Sequence, residues 1–315
     1  MYLLSGKVVG MKEKFKDKPD ESGCARGIGN ALAKHLDKKG FHVFASCRDP
    51  KSPGAEDLRK SCSSRLRVFQ LDVANDESVQ KAVQFVEDNL STCELWAIIN
   101  NAGIQQGFFL ELSSIQDFKD SLEVNALGPA RVTKAFLPLL RQSRGRVINM
   151  SSVIGRLAVP MTGPYCMSKF ACDGFSESLR YDLDMWGVKI ISIEPEFFET
   201  DMTTEMGLSE RVDVMCAKID EDVRKDYGEE FLKAFKHMIT TIFPPSPNMQ
   251  KLVEAIECAV SLKHPGAVYK VCRNVGVRAL LTVWDVLPEE LKVFIFRIVS
   301  TLFGLPKLGQ TKKSS

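Results

Sequence analysis

The sequence predicts an α/β protein built on one doubly wound parallel sheet with helices on both faces. Three observations carry this prediction. Short apolar runs alternate with helix-length amphipathic stretches, and the runs at 95–99 and 146–150 end in polar turns rich in Asn and Ser. A chain of 315 residues with 44% hydrophobic content is also long enough to bury a single large core. Strands separated by helices of this length need crossover connections, and a sheet joined that way is parallel and covered on both sides.

Taken in order, residues 31–38 place Ala31, Leu32, His35 and Leu36 on one helical stripe, and Gly40 ends it before an apolar strand at 41–45. A strand is expected at 66–71, an amphipathic helix at 78–89, and a strand at 95–99 that runs into Asn100-Asn101-Ala102-Gly103. The alternation continues through a helix at 118–141, a strand at 146–150, a helix at 165–185 and a strand at 188–193. Residues 200–247 are more polar and helical, and the tail from Lys307 is basic.

Ahead of the first helix, Ser22-Gly23-Cys24-Ala25-Arg26-Gly27-Ile28-Gly29 spaces glycines at 23, 27 and 29. Such a turn lets backbone N–H groups and a helix N-terminus approach a pyrophosphate without obstruction by Cβ atoms. A buried apolar strand should lead directly into it, yet 13–21 offers only Phe15 as a large apolar residue. The first strand is therefore atypical or missing. Either 3–11 supplies it, with a long charged loop before Ser22, or this N-terminus does not belong to the ancestral fold, as an alternative exon would produce. The second reading is the one favoured by the sequence.

Tyr165 and Lys169 are four apart on an expected helix and so share one face. A tyrosine hydroxyl is a poor base near neutrality, but a neighbouring ammonium stabilises the phenolate, which suits Tyr165 to act as general acid or base. Ser152 follows the strand at 146–150, where its hydroxyl can hold a substrate oxygen beside Tyr165. Asn125 falls within a helix, an expensive place for a short polar side chain unless it has a partner. A lone Tyr-x-x-x-Lys is usually a surface pair; here it follows a glycine turn and two polar strand ends in the order a nucleotide site at the carboxyl edge of a parallel sheet requires.

Composition narrows the alternatives. Lys and Arg total 42 against 40 Asp and Glu, a net charge of +2, so no nucleic-acid partner is expected. Nine scattered cysteines without a C-x-x-C point to reduced thiols, and His35, His42, His237 and His264 are too dispersed for zinc, so no metal is expected. Residues 1–4 are the only apolar start, too short for a secretory signal or a membrane span.

From Ser22 to about Leu287 the sequence resembles the short-chain dehydrogenase/reductase family, through the glycine turn, Leu71-Asp72-Val73, Asn100-Asn101-Ala102-Gly103, Asn125, Ser152 and Tyr165-Cys166-Met167-Ser168-Lys169. The phrases at 54–59, 95–100, 175–180 and 227–231 look like its retinol dehydrogenase and 17β-hydroxysteroid dehydrogenase type 2 branch, which also holds 3-hydroxybutyrate dehydrogenase. The resemblance implies a Rossmann-like domain at 22–287, preceded by an atypical segment at 1–21 and followed by an apolar helix and basic tail at 288–315. It implies that Tyr165 donates or accepts the proton, that Lys169 binds the nicotinamide ribose, that Ser152 orients the substrate oxygen and that Asn125 supports a proton-relay water. Gly23, Arg26, Gly27, Ile28, Gly29, Arg48, Asp72, Val73, Asn100, Ala102, Gly103, Pro195 and Thr200 would join Tyr165 and Lys169 around the cofactor, with Asp72 at the adenine and Thr200 at the carboxamide.

Two departures stand out: Ser22 replaces the family's usual Thr, and Pro195-Glu196 replaces Pro-Gly, which would set a charge beside the nicotinamide. Cofactor choice turns on the end of the second strand, where an acid would bind the ribose 2′-OH of NAD and a base the 2′-phosphate of NADP. Cys47 occupies the usual acidic position and Arg48 follows, with Arg26 in the glycine turn, so NADP is expected and NAD is the alternative.

A lipophilic retinoid- or hydroxysteroid-type alcohol is the implied substrate, with Met161, Phe197, Phe198, Met202 and Met206 as pocket or core residues. The stretch 291–305 is apolar but shorter than the roughly 20 residues that span a bilayer. It suits a peripheral membrane contact, assisted by Lys307, Lys312 and Lys313, or packing on its own domain or across a dimer. The branch implies the endoplasmic reticulum membrane, with a cytoplasmic protein as the alternative, and a homodimer. Two rival functions stay open: a cofactor-impaired binding protein, and a 3-hydroxybutyrate-type hydroxy-acid dehydrogenase. The second needs a cation facing Tyr165, for which Arg156 is the nearby candidate.

Overall fold

A computed structural model describes residues 24, 27–200, 203, 206–242 and 244–306, together with the backbone of 7–11 and 205. In chain order the elements are β1 (Lys7–Met11), α1 (Gly27–Lys38), β2 (His42–Cys47), α2 (Pro53–Ser61), β3 (Leu66–Gln70), α3 (Asp76–Asn89), β4 (Glu94–Asn100), α4 (Ile115–Leu122) and α5 (Gly128–Ser143). There follow β5 (Arg146–Met150), α6 (Gly163–Asp184), β6 (Lys189–Pro195), α7 (Glu205–Cys216), α8 (Glu221–Ile242), α9 (Met249–Ser261), β7 (Val268–Val271), α10 (Val275–Val286) and α11 (Glu289–Leu302).

Local chemistry sets several boundaries. Asn75 caps α3 by accepting the Ser78 N–H at 2.8 Å, so that helix starts ahead of the expected residue 78. Ser114 and Asp117 form a reciprocal capping box that starts α4. The single helix expected at 118–141 is instead α4 and α5 joined through one π-turn, Glu123–Leu127.

The strands form one seven-stranded sheet in the order β3-β2-β1-β4-β5-β6-β7, and every pairing is parallel. One face is covered by α1 and α9, through Leu32, Leu36, Leu252 and Ile256. The other is covered by α3 and α5, through Val79, Val86, Val132, Phe136 and Leu140. A third cluster, centred on Phe231, Phe235 and Met238, ties α7 and α8 to Phe296 of α11.

The sheet corrects the reading of the N-terminus. Lys7–Met11 is the central strand: Val9 lies opposite Val43 of β2 and Ala97 of β4, and only a shift between Lys7 and Val9 breaks its register with β4. The physical reason is that both neighbouring strands lie inside the sheet, where unpaired backbone groups are costly, and the short run Lys7-Val8-Val9 has the β-branched content to fill the gap. The first strand is therefore present but displaced from the glycine turn, of which Ser22, Gly23 and Arg26 lie outside the described residues.

Candidate active site

In a parallel sheet of this order the crevice opens at the carboxyl edge between β1 and β4, where the connections run to opposite sides. The chain folds its polar strand ends toward that edge. Gly27 opens α1 at a φ of +54°, and a Cβ added there would lie 3.6 Å from Thr200 Cγ2, so the helix N-terminus and Thr200 face each other closely. The first turn of α1 carries no acidic side chain, and its Gly27-Ile28-Gly29 backbone suits an anionic ligand.

Lys169 and Asn125 converge under the next strand end. Lys169 is 3% exposed; its Nζ donates to the Met150 carbonyl at 2.8 Å and lies 5.6 Å from the centre of the Tyr165 ring. A Cβ on Gly103 would come within 3.6 Å of both Lys169 Nζ and Asn125 Oδ1, so the glycine keeps a cradle open beside them. The π-turn turns Asn125 inward, where Oδ1 accepts the Ile104 N–H and Nδ2 donates to the Ile104 carbonyl and Ser168 Oγ, each at 2.8 Å. Ser168 Oγ in turn donates to the Tyr165 carbonyl, which ties Asn125 to the helix that carries the tyrosine.

Ser152 heads the short turn after β5; its Oγ accepts the Ile154 N–H at 3.2 Å and reaches the Pro195 carbonyl at 3.4 Å. Tyr165 is partly buried and packs, as do Phe197 and Leu281, on the cluster of Val153, Ile154 and Cys166. The structure thus brings together Gly103, Asn125, Ser152, Tyr165, Lys169 and Pro195, and, at the adjoining helix start, Gly27 and Thr200.

Other predicted residues sit further out. Asn100 is 4% exposed, and its Nδ2 bonds Asn149 Oδ1 at 2.8 Å and Thr133 Oγ1 at 3.2 Å, so it braces β4, β5 and α5 beneath the crevice. Asp72 shapes the turn into α3: its Oδ1 accepts the Ala74 N–H, and its own N–H donates to Ser78 Oγ. Buried Val73 packs under Gly128, and its carbonyl accepts Arg131 Nη1. Arg48 is partly buried at the end of β2, next to a Cys47 thiol that burial pushes up to about 11.

Of the proposed apolar pocket residues, Phe198 belongs to the core beneath α1 and α9, Met161 packs with α7 and α8, and Met206 is 80% exposed. Phe197 alone of them lies in the cluster that touches Tyr165, and Met202 is outside the described residues.

Three charged residues correct the sequence reading. Glu196 does not present a free charge to the crevice: its carboxylate is 5% exposed and takes Arg273 Nε at 3.0 Å and the Arg273 backbone N–H. Arg156 is drawn away from Tyr165, because its guanidinium bonds Glu194 at 2.9 Å and Glu177 and lies 3.7 Å from Asp173. Buried Asp173 accepts Ser151 Oγ at 2.7 Å, and burial lifts its carboxyl to about 6. A cation that the sequence reading missed is Arg211 of α7, whose Nη2 donates to Gln105 Oε1 at 3.1 Å on the segment that follows β4. A single arginine in a polar helical stretch has no periodic or spacing signal that would single it out.

Comparisons with known proteins place the chain among the oxidoreductases. Residues 22–211 match the short chain dehydrogenase model. Mouse estradiol 17-beta-dehydrogenase 2 is 38% identical over 79% of this chain and 66% of its own length. Mouse mitochondrial D-beta-hydroxybutyrate dehydrogenase and human retinol dehydrogenase 5 are each 39% identical over 79% of this chain, covering 74% and 78% of their own lengths. Among solved structures, a short-chain dehydrogenase from Streptomyces avermitilis superposes with a TM-score of 0.69 at 20% identity, over 96% of this chain and 100% of that one. One from Burkholderia phymatum in complex with NAD gives 0.68 at 20% identity, over 90% and 94%. The chain belongs to the short-chain dehydrogenase/reductase family, whose members interconvert alcohols and carbonyls. Within it, the chain falls in the retinol dehydrogenase and 17β-hydroxysteroid dehydrogenase branch.

Proposed function

We propose that this chain transfers a hydride between a nicotinamide cofactor and a lipophilic alcohol or its carbonyl, with Tyr165 as general acid or base. The observation that carries the proposal is the joint placement of Tyr165, Lys169, Ser152 and Asn125 at one carboxyl edge, beside a helix start suited to a pyrophosphate. When bound, the nicotinamide supplies the hydride acceptor or donor. Tyr165 moves the hydroxyl proton, and Lys169 provides the opposite charge when the phenolate forms. Ser152 Oγ, held by the Ile154 N–H, orients the substrate oxygen. The apolar surround of Val153, Ile154, Phe197 and Leu281 supports a lipophilic substrate, as do relatives named for estradiol and retinol.

NADP is the cofactor this reading favours: Cys47 offers no carboxylate at the end of β2, and Arg48 is the first charged residue after it. The reading includes a peripheral contact with the endoplasmic reticulum membrane, supported by exposed Val286, Phe294 and Leu302 on α10 and α11. Among the described residues no helix is long and apolar enough to cross a membrane.

The test is a fluorescence titration with NADPH and NADH on the wild type and on Tyr165→Phe. Tighter binding of NADPH, unchanged in the variant while turnover falls by about 10²–10⁴, is the expected result. Binding of neither cofactor would leave a binding protein as the better reading.

A further inference from the structure

Arg211 reaches from α7 to the segment that follows β4 and carries Gln105 and Phe108. Its Nη2 donates to Gln105 Oε1 at 3.1 Å, and its guanidinium stands 6.0 Å from the centre of the Phe108 ring. Phe108 in turn receives the Gly163 N–H on its carbonyl, which fixes this corner to the first turn of the helix that carries Tyr165. The residue as a whole is partly buried, but Nε and Nη1 are shielded from solvent and have no hydrogen-bond partner among the described residues. Burial pulls the guanidinium down to about 10, and Tyr165 is the group that opposes the fall.

A buried guanidinium with three unused N–H groups is costly to keep, and removing it in favour of a well-packed apolar side chain ordinarily stabilises a protein. Arg146 shows the contrast within the same chain. It too is buried, and its Nε likewise lacks a partner among the described residues, but Nη1 bonds the Ala259 and Leu262 carbonyls at 2.7 and 3.0 Å and the guanidinium stacks on Trp96. Arg211 has one neutral hydrogen-bond acceptor, Gln105, and no carboxylate paired with it among the described residues.

We propose that Arg211 is the anion-recognition residue of the substrate site, and that the alcohol or ketone turned over here carries a carboxylate on an apolar body. The inference rests on the oxidoreductase reading above. The planar guanidinium matches a carboxylate, and one such cation balances a monoanion. The carboxylate takes no part in the chemistry: on oxidation the carbinol hydride passes to NADP⁺ or NAD⁺, the hydroxyl proton to Tyr165, and a C=O bond forms. Phe108 beside Arg211, with Phe197 and Leu281 on the cluster that Tyr165 also packs on, supplies apolar contact for the body of the substrate.

The experiment compares decanoate with decanol by isothermal titration, on the protein alone and saturated with NADPH, for the wild type, Arg211→Met and Arg211→Lys. Decanoate should bind about tenfold to a hundredfold tighter than decanol to the wild type. In Arg211→Met that preference should vanish while decanol and NADPH affinities hold and the melting temperature rises; Arg211→Lys should keep part of the preference. Equal binding of acid and alcohol by the wild type overturns the proposal. So does a preference that survives in Arg211→Met, or a fall in melting temperature together with decanol and NADPH affinity, which would mark a structural arginine. Failure of the wild type to bind either nicotinamide cofactor would sink the oxidoreductase reading instead, and the anion site is then judged on the protein alone.

Discussion

Asp173 is 2% exposed, and burial together with nearby Glu194 lifts its carboxyl to about 6 against the pull of Ser151, Arg156 and Lys169. The folded protein therefore holds this proton more tightly than the unfolded chain, whose aspartates titrate near about 3.9. Its contribution to stability is full below about pH 4 and is lost as the pH rises through about 6. Melting temperatures measured from pH 4 to 7 should show that falling component in the wild type, and Asp173→Asn should remove it; an identical slope in the variant would assign the effect elsewhere. Glu196 makes a second case. Its pairing with Arg273 spans β6 and the segment after β7, so Glu196→Ala and Arg273→Ala should each cost about 1–3 kcal/mol in chemical denaturation. The double variant should cost well under the sum, and full additivity would show that the pair does not couple. Tyr165, Lys169 and Ser152 were legible in the sequence because their signal is local: a four-residue helical spacing and a strand end. The partners of Glu196 and Arg156 were not, since one lies 77 positions away and another 38.

The π-turn between α4 and α5 is the element that makes Asn125 useful, because it redirects one side chain inward without ending the helical run. Directly after it, Gly128 lets α5 settle on the loop beyond β3: a Cβ there would meet Val73 Cγ2 at 2.6 Å. Gly128→Ala should therefore destabilise the protein by about 1–3 kcal/mol through overpacking, and adding Val73→Ala should recover part of the loss. Equal denaturation midpoints for Gly128→Ala and wild type would show that the loop yields freely. At this scale β1 is where local reasoning failed. The charged stretch after Met11 reads as an interruption, yet the open position between β2 and β4 is filled by Lys7–Met11, a pairing set by strands more than thirty residues away.

Across the molecule, α10 and α11 combine two tasks. Leu281 packs on the Val153, Ile154 and Cys166 cluster that Tyr165 also packs on, and Phe296 packs on the α7–α8 cluster, while Val286 and Leu302 stand 78% and 79% exposed. An outward apolar face on helices that also wall the site fits a lipid surface that delivers substrate. Val286→Glu with Leu302→Glu should weaken flotation with phosphatidylcholine–phosphatidylserine vesicles about tenfold or more, and leave turnover of a water-soluble alcohol unchanged. Retained flotation would assign this face to another partner. The sequence by itself determined the alternation of strands and helices and the doubly wound class, because these are encoded in periodicity, and its motifs carried the resemblance to the family; it also brought forward Ser152, Tyr165 and Lys169 as candidates, because their signal is local. Only the tertiary structure decided which strand fills the centre of the sheet, where Glu196 and Arg156 direct their charge, and that Arg211 has no carboxylate partner among the described residues. Pairing and burial depend on groups distant in the chain, and the cost of a charge is set by what surrounds it after folding.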